Sequence, residues 1–253
     1  MHVLLVNDDG IEAPGIRALG EAFRAAGHRV SVCAPDRQRS AASHCVTLGG
    51  ALWAKAMDFE WADAAWASNG TPADCASLGV YLTREDPVDL VISGINHGMN
   101  MGGACVYSGT VAAALEAAMC GAQGMAVSLC VGPGDAGDYS AAARIALRVA
   151  EWALSHPLPL GVMYNLNVPP VPYDEIRGIV PATLAPVFLD APDYAKESED
   201  AEGVHYRYRG IPRPYSDPNY DTTRVGQGYA TLTKLTWDFR LNADDAELGQ
   251  IEL

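Results

Sequence analysis

The repeated succession of an apolar strand, a polar turn and an amphipathic helix constrains the fold of this chain most. Residues 2–6 (HVLLV) form an apolar run that ends at the polar turn 7–10 (NDDG). Residues 15–26 then place their apolar side chains at helical spacing, and residues 29–34 form a second apolar strand. A strand, a helix and a strand within ~35 residues predict the first β-α-β unit of a parallel sheet.

The same alternation continues further along the chain. It predicts strands at 88–93, 125–131 and 161–168, and helices at 72–84, 109–120 and 138–154. These strands are almost continuously apolar, which is typical of strands buried on both faces of a sheet. We therefore predict an α/β protein with a Rossmann-like, doubly wound, mostly parallel sheet in three layers (α/β/α). Residues 161–168 are expected to be its last core strand.

The composition changes after residue 170, where prolines and tyrosines become frequent. Residues 204–210 and 228–236 have the alternating pattern of half-exposed strands, whereas the charged residues 194–203 are typical of a turn. We predict a C-terminal β-hairpin extension. The expected organisation is a catalytic core over residues 1–170 and a β-rich extension over residues 171–253. That extension would return to the core and mediate oligomerisation.

The charge balance limits the possible partners. Seventeen basic and 31 acidic residues give a net charge of −14, which repels phosphate backbones, so no nucleic acid polymer is expected as a partner. No apolar run reaches the ~18 residues that cross a bilayer, and no signal peptide is recognisable, so we expect a cytoplasmic protein without membrane contact. The six cysteines lack C-x-x-C spacing and are expected to be small buried hydrophobes.

Two adjacent carboxylates, Asp8 and Asp9, follow the first strand. Adjacent carboxylates repel each other, and a divalent cation removes that repulsion. Mg²⁺ and Mn²⁺ prefer oxygen ligands, so this pair is a candidate metal site. Residues 7–10 are also good turn formers, and this motif alone supports both interpretations equally.

Further polar residues follow the other strands. Ser40 and Ser43 offer hydroxyl groups after the second strand, although the segment also suits an ordinary solvated loop. Asn96 offers a neutral oxygen ligand after strand 88–93. His97 offers a proton donor or a phosphate contact, and a structural loop histidine is the alternative.

Two helix N-termini are candidate anion or nucleoside sites. Helix N-termini present free N–H groups to anions, although caps alone would also explain these residues. The full candidate substrate-binding set is Asn7, Ser43, Gly70, Thr71, Asn100, Ser108, Gly109 and Thr110.

These segments become more informative together, because the carboxyl ends of parallel strands meet at one edge of the sheet. That edge would supply a cation site, an anion pocket and flanking loops. This is the arrangement of a phosphoester site without a covalent cofactor. The dinucleotide fingerprint G-x-G-x-x-G and the Walker A pattern are both absent.

Five motifs resemble the signatures of the SurE family, the stationary-phase survival nucleotidases, in order and spacing. They are NDDGIEAPGI (7–16), APDRQRSAAS (34–43), NGTPADC (69–75), SGINHGMNMG (93–102) and YSGTVAAALEA (107–117). The segment 221–238 also resembles the family's closing segment. Residues 103 and 104 (Gly and Ala) replace acidic residues of many members, and Ala41 replaces a frequent glycine. These differences from the family pattern bear on substrate preference and on subunit assembly.

The resemblance implies hydrolysis of nucleoside 5′- and 3′-monophosphates, and in some members of short polyphosphate. It implies one divalent metal ion per subunit, Mg²⁺ or Mn²⁺, and a dimer or tetramer formed through the C-terminal arm. The family's metal ligands fall on Asp8, Asp9, Ser40 and Asn96, and its phosphate contacts on Ser108, Gly109 and Thr110.

We expect a metal-activated water to attack the phosphate, with Asp8, Asp9, Asn96 and His97 as the catalytic set. Asp8 or Asp9 would accept the proton of the water, and His97 would protonate the leaving ribose oxygen. One alternative is an aspartyl phosphate at Asp8, although such enzymes usually carry D-x-D. The others are a nucleotide-sugar glycosyltransferase, for which the chain is short, and a non-catalytic nucleotide sensor.

Overall fold

A computed structural model describes residues 1–132, 134–186, 193–209 and 215–238. The strands are β1 His2–Val6, β2 Arg29–Pro35, β3 Ala54–Met57, β4 Ala64–Ser68, β5 Leu90–His97, β6 Gly124–Leu129, β7 Val162–Val168, β8 Ile179–Pro181, β9 Tyr194–Asp200, β10 Gly203–Tyr208 and β11 Ala230–Thr236. The α-helices are α1 Pro14–Ala25, α2 Pro72–Leu82, α3 Gly109–Met119, α4 Ser140–Leu154 and α5 Asp221–Gly226. Two short 3₁₀ helices span Gly102–Tyr107 and Tyr173–Glu175. No helix in the described ranges combines the length and apolar character that crossing a bilayer requires.

Nine of the described strands form one sheet, in the order β3-β4-β2-β1-β5-β6-β7-β11-β8. The six strands from β4 to β7 in this order run parallel to one another. Strand β3 pairs antiparallel with β4, and β11 pairs antiparallel with β7. The predicted mostly parallel sheet is confirmed. The ends of β1, β2 and β5 therefore lie at one edge.

Helices cover both faces of the sheet because the central strands alternate their apolar side chains between the two faces. Val3 and Leu5 of β1 join a buried cluster that contains Leu19 of α1 and residues of α4. Leu4 of β1 packs on the other face in a cluster with α2 and α3, which includes Ala113. The three-layer α/β/α arrangement is thus confirmed.

The sheet continues beyond β7, so the prediction that residues 161–168 are the last core strand is wrong. Strand β11 pairs with β7 from Thr231 to Thr236, and β8 lies outside β11. The polar, half-exposed pattern of residues 228–236 arises because this strand lies next to the edge of the sheet, where one face is partly open to solvent. On the opposite side, β3 and β4 add two strands from segments too short and alanine-rich to predict.

A separate antiparallel hairpin is formed by β9 and β10, which confirms the predicted hairpin extension. The prediction that residues 194–203 form a turn is wrong, because Tyr194–Asp200 is itself a strand. Its charged side chains are tolerated because both faces of the hairpin are largely exposed. Residue 210 of the predicted strand 204–210 lies outside the described residues, and so do residues 187–192, 211–214 and 239–253 of the predicted extension.

Candidate metal and phosphate site

A cleft of about 350 Å³ opens at the carboxyl edge of the sheet, where β1, β2 and β5 end and α3 begins. It is lined by all four predicted metal ligands: Asp8, Asp9, Ser40 and Asn96. The 88 residues that separate Asp8 from Asn96 in the sequence are bridged by the parallel pairing of β1 with β5. The topology therefore brings these oxygen donors together.

Asp8 is buried at the base of this cleft. Its Oδ1 accepts a hydrogen bond of 2.7 Å from the Thr110 hydroxyl. Burial raises the pKa of Asp8 to about 6, and the neighbouring charge of Asp9 adds to this rise. Gly109 packs so closely that a Cβ at this position would lie 3.0 Å from the Cβ of Asp8. The start of α3 and the first carboxylate thus form one packed unit.

Asp9 lies nearer the surface of the cleft. Its Oδ2 accepts a hydrogen bond of 3.3 Å from the backbone N–H of His97. Burial raises the pKa of this carboxyl, although hydrogen bonds from His97 and Gln38 oppose the rise. Two partly desolvated carboxylates side by side therefore favour a cation between them.

The loop after β2 presents Ser40 to the cleft. The backbone N–H of Arg39 donates to the carbonyl of Asp8 at 2.7 Å, which holds this loop against the first turn. Gly10, at a φ of +103°, lets the two loops approach each other, since a Cβ there would lie 3.2 Å from the carbonyl carbon of Arg37.

Gln38 is a site residue that the sequence analysis missed. Its Nε2 donates to Ser40 Oγ at 2.9 Å, and its side chain also acts to lower the pKa of Asp9. An exposed glutamine in a polar loop carries no distinguishing signal in one sequence. Only the fold shows that it links two of the proposed ligands.

The donor set fits a hard divalent cation. The Asn96 Nδ2 donates to the carbonyl of Gly98 at 3.0 Å, so its Oδ1 is the atom left to act as a ligand. Nowhere in the described residues do three His, Cys, Asp or Glu side chains converge. The candidate ligands are therefore carboxylate, hydroxyl and amide oxygens, which suit Mg²⁺ or Mn²⁺ better than a softer metal.

The predicted phosphate-facing residues lie where α3 begins. Ser108 lines the cleft, and its Oγ caps α3 by accepting a hydrogen bond of 3.1 Å from the N–H of Val111. Thr110 uses its hydroxyl on Asp8. An anion at this end of α3 would therefore bind chiefly to the unpaired backbone N–H groups.

Asn100 lines the cleft but is buried, and its hydrogen bonds point into the protein. Its Nδ2 donates to Ser128 Oγ at 2.8 Å, and its carbonyl accepts from the side chains of Asn165 and Asn167, each at 2.9 Å. Three residues of β6 and β7 thus fix the segment 98–108 that forms one wall of the cleft.

Asp221 is the second site residue that sequence reasoning missed. It is fully buried at the start of α5, and its Oδ2 accepts a hydrogen bond of 2.8 Å from the backbone N–H of Gly102. Its Oδ1 accepts from the N–H groups of Ala185 and Thr222. Asp221 lies in the segment 221–238 that resembles the family's closing segment, but a contact across 119 positions leaves no local pattern that would predict its role.

Of the eight predicted substrate-binding residues, two line the cleft, Asn100 and Ser108. The other six do not: Gly109 and Thr110, which follow Ser108 in α3, and Asn7, Ser43, Gly70 and Thr71. Asn7 closes the first turn by donating to the carbonyl of Gly10 at 2.7 Å. The Ser43 hydroxyl donates to the carbonyl of Val106. Thr71 caps α2 through a reciprocal pair of hydrogen bonds with Asp74, and Gly70 packs against the side chain of Asp74.

A second cleft of about 520 Å³ adjoins the first and shares Asp9, Gln38 and His97 with it. Arg37 and Tyr139 also line this second cleft. The Nδ1 of His97 lies 2.8 Å from the Tyr139 hydroxyl oxygen. The predicted proton donor thus stands on the boundary between the two clefts.

Comparison with known proteins agrees with this geometry. Residues 3–187 match the family described as "Survival protein SurE". A protein of Pelobacter propionicus named 5′-nucleotidase SurE is 48% identical over 70% of this chain and 69% of its own length. One of Aeromonas hydrophila with the same name is 40% identical over 98% of this chain and 97% of its own.

A solved structure extends the likeness to the fold. The crystal structure of the SurE protein from Aquifex aeolicus superimposes with a TM-score of 0.82 and 32% sequence identity, covering 95% of each chain. The matched region includes every strand that ends at the cleft. On this evidence, the chain belongs to the SurE family.

Proposed function

We propose that this chain is a metal-dependent phosphoric monoester hydrolase that converts nucleoside 5′- and 3′-monophosphates to nucleoside and phosphate. One observation carries the proposal: two carboxylates, a hydroxyl and an amide oxygen share a single cleft with the N-terminus of a helix. The relatives named 5′-nucleotidase SurE support the same activity. Other small phosphate esters fit the same chemistry.

Asp8, Asp9, Ser40 and Asn96 are the proposed ligands of one divalent ion, Mg²⁺ or Mn²⁺, per subunit. Such an ion, when bound, neutralises charge on the phosphoryl oxygens and lowers the pKa of a coordinated water. Their oxygen donors come from the turn after β1, the loop after β2 and the end of β5.

The remaining roles in the reaction are assigned to groups of the protein itself. Asp9, the more accessible carboxylate, is placed to accept the proton of the attacking water, while Asp8 is held by Thr110. The backbone N–H groups of Gly109 and Thr110, next to the Ser108 hydroxyl at the start of α3, are proposed to hold the phosphoryl oxygens. His97 is the proposed donor to the leaving ribose oxygen, and Asn96 sits beside it as ligand.

Phosphate release from a panel of nucleoside 5′- and 3′-monophosphates and a short polyphosphate, with Mn²⁺, Mg²⁺ or EDTA, tests this proposal. Release is expected only with metal, and Asp9→Ala should abolish it. Asp58→Ala, which removes an exposed carboxylate far from the cleft in sequence, is the matched control and should retain full activity. Nucleotide binding without any release would instead favour the sensor.

The proposed assembly is a homodimer or homotetramer formed through the arm in residues 171–253. The hairpin β9–β10 supports it, because among the described strands it pairs with none of the main sheet and exposes Tyr194, Tyr206 and Tyr208. Light scattering of a variant whose residues 194–208 are replaced by a short glycine-serine linker tests it. A lower mass than that of the parent chain is expected.

The proposed compartment is the cytoplasm. All six cysteines are free thiols, as a reducing compartment allows. Cell fractionation tests this assignment, and recovery of the protein outside the cytoplasm would contradict it.

A further inference from the structure

The segment that precedes α4 forms a seat for the ring of His97. The Tyr139 hydroxyl lies 2.8 Å from Nδ1, and the two ring centroids are 6.1 Å apart. Gly137 packs on the same side of the imidazole, because a Cβ there would lie 3.1 Å from Nδ1 and 3.3 Å from Cε1. Two independent contacts thus act on one edge of the ring.

This seat determines which ring nitrogen faces the clefts. We assign the Tyr139 hydroxyl as the donor of this hydrogen bond and Nδ1 of His97 as its acceptor. A neutral imidazole that accepts at Nδ1 carries its hydrogen on Nε2. In the described part of the chain, Nε2 of His97 makes no hydrogen bond, and this residue lines both clefts.

We infer that Tyr139 is a positioning residue for the hydrolytic reaction, which holds the His97 imidazole so that its Nε2–H points at the leaving oxygen of the substrate. The inference rests on the proposed function. As the bond between phosphorus and the ribose oxygen breaks, its electron pair stays on that oxygen. A fixed N–H donor stabilises the charge that develops there. Tyr139 itself transfers no group and touches no reacting atom.

The choice of leaving group makes the inference testable. A nucleoside leaves as a poorly stabilised alkoxide and needs the donor, whereas p-nitrophenolate stabilises its own charge. Tyr139→Phe removes only the hydroxyl. It should lower kcat for a nucleoside monophosphate about tenfold at a nearly unchanged KM, less than the roughly 10²–10³-fold lost when a positioned donor is removed outright, because the His97 donor itself remains. Its kcat for p-nitrophenyl phosphate should change less than about twofold.

Matched variants distinguish a positioning role of Tyr139 from a general effect of the substitution on the structure. Tyr173→Phe also removes a phenol that contacts α4, there through Arg148, and should leave both substrates unaffected. In a His97→Phe background, Tyr139→Phe should cause no further loss, because its partner is gone. An additive loss, an equal loss on both substrates or full nucleotidase activity of Tyr139→Phe would each overturn the inference.

A spectroscopic readout tests the same seat independently of turnover. In ¹⁵N-histidine-labelled protein, His97 is expected to show the Nε2–H tautomer, and Tyr139→Phe should restore tautomer exchange. An Nδ1–H tautomer in the parent protein would overturn the inference. If the parent protein released no phosphate from any ester but showed the fixed tautomer, the proposed function would fail while the seat would stand.

Discussion

Asp8 carries the largest electrostatic cost in the cleft, because it is buried and adjacent to a second carboxylate. Burial raises its pKa from 3.8 to about 6, so the folded protein without metal keeps Asp8 protonated up to about pH 6, whereas the unfolded chain loses this proton at about pH 4. Folding stability is therefore fully present below pH ~4 and falls as the pH rises through 6, by roughly 3 kcal/mol for a shift of ~2 units. A bound cation would offset this loss, since it favours the ionised form.

Asp8→Asn should therefore stabilise the metal-free protein at pH 8, by up to about 3 kcal/mol, while changing little at pH 4. The amide keeps the oxygen that accepts from Thr110 and removes the buried charge. Thermal unfolding in EDTA at both pH values measures this effect. Added Mn²⁺ should raise Tm in the parent chain far more than in Asp8→Asn. Equal Tm values in EDTA at pH 8 would contradict the electrostatic explanation.

Gly109 makes a second prediction at the level of single residues. Gly109→Ala places a methyl group 3.0 Å from both Asp8 Cβ and Pro72 Cγ, so the carboxylate must shift. A displacement of this kind should lower kcat/KM by about 10²-fold, since small errors in position are costly in catalysis. Gly49→Ala, where a Cβ meets nothing within 4 Å, is the control for steady-state kinetics and should be silent.

At the level of elements, the helices and strands that can be predicted are those with a clear local pattern in the sequence. Buried strands such as β1 are recognisable as apolar runs. The pair Thr71-Pro72 predicts the start of α2 at the residue where the helix begins. Strands β4 and β9 gave no such signal: one is short and alanine-rich, and the other is charged and exposed. Their pairing is set by neighbours distant in the sequence, which a local pattern does not record.

The cap of α2 gives a prediction at this level. Thr71→Ala removes a hydroxyl that accepts from Asp74 N–H and donates to the carbonyl of Cys45. The free energy of unfolding should fall by about 1 kcal/mol, and Thr71→Ser should restore most of it. Chemical denaturation measures the loss. The KM for nucleotide should stay unchanged in both variants, and a raised KM would instead make Thr71 a substrate contact.

For the whole molecule, residues beyond the family match complete the sheet. The match ends at residue 187, yet β11 lies between β7 and β8, and Asp221 holds the loop at Gly102. A chain ending at residue 187 would leave β7 as an open edge and would lose those hydrogen bonds. We expect it to aggregate or to lack a cooperative unfolding transition in circular dichroism, with the full chain as control. A cooperative transition would show that β11 is dispensable.

Like the fold, the candidate site has a part that can be predicted from the sequence and a part that cannot. Its ligands were predictable because each follows a strand, and the topology of parallel sheets gathers strand ends. Gln38 was not, because an exposed glutamine in a polar loop carries no distinguishing signal. Tyr139 and Asp221 were not, because they act through contacts that span 42 and 119 positions of the sequence.

The hydrogen bond between Asp221 and Gly102 also orders events during biosynthesis. The ribosome makes the proposed metal-binding carboxylates, which follow β1, early in synthesis, and Asp221 comes 213 positions after Asp8. The wall of the cleft therefore gains its last anchor only when α5 has emerged. A nascent chain would carry the ligands of the site long before it could turn over nucleotides, so hydrolysis begins near the end of translation.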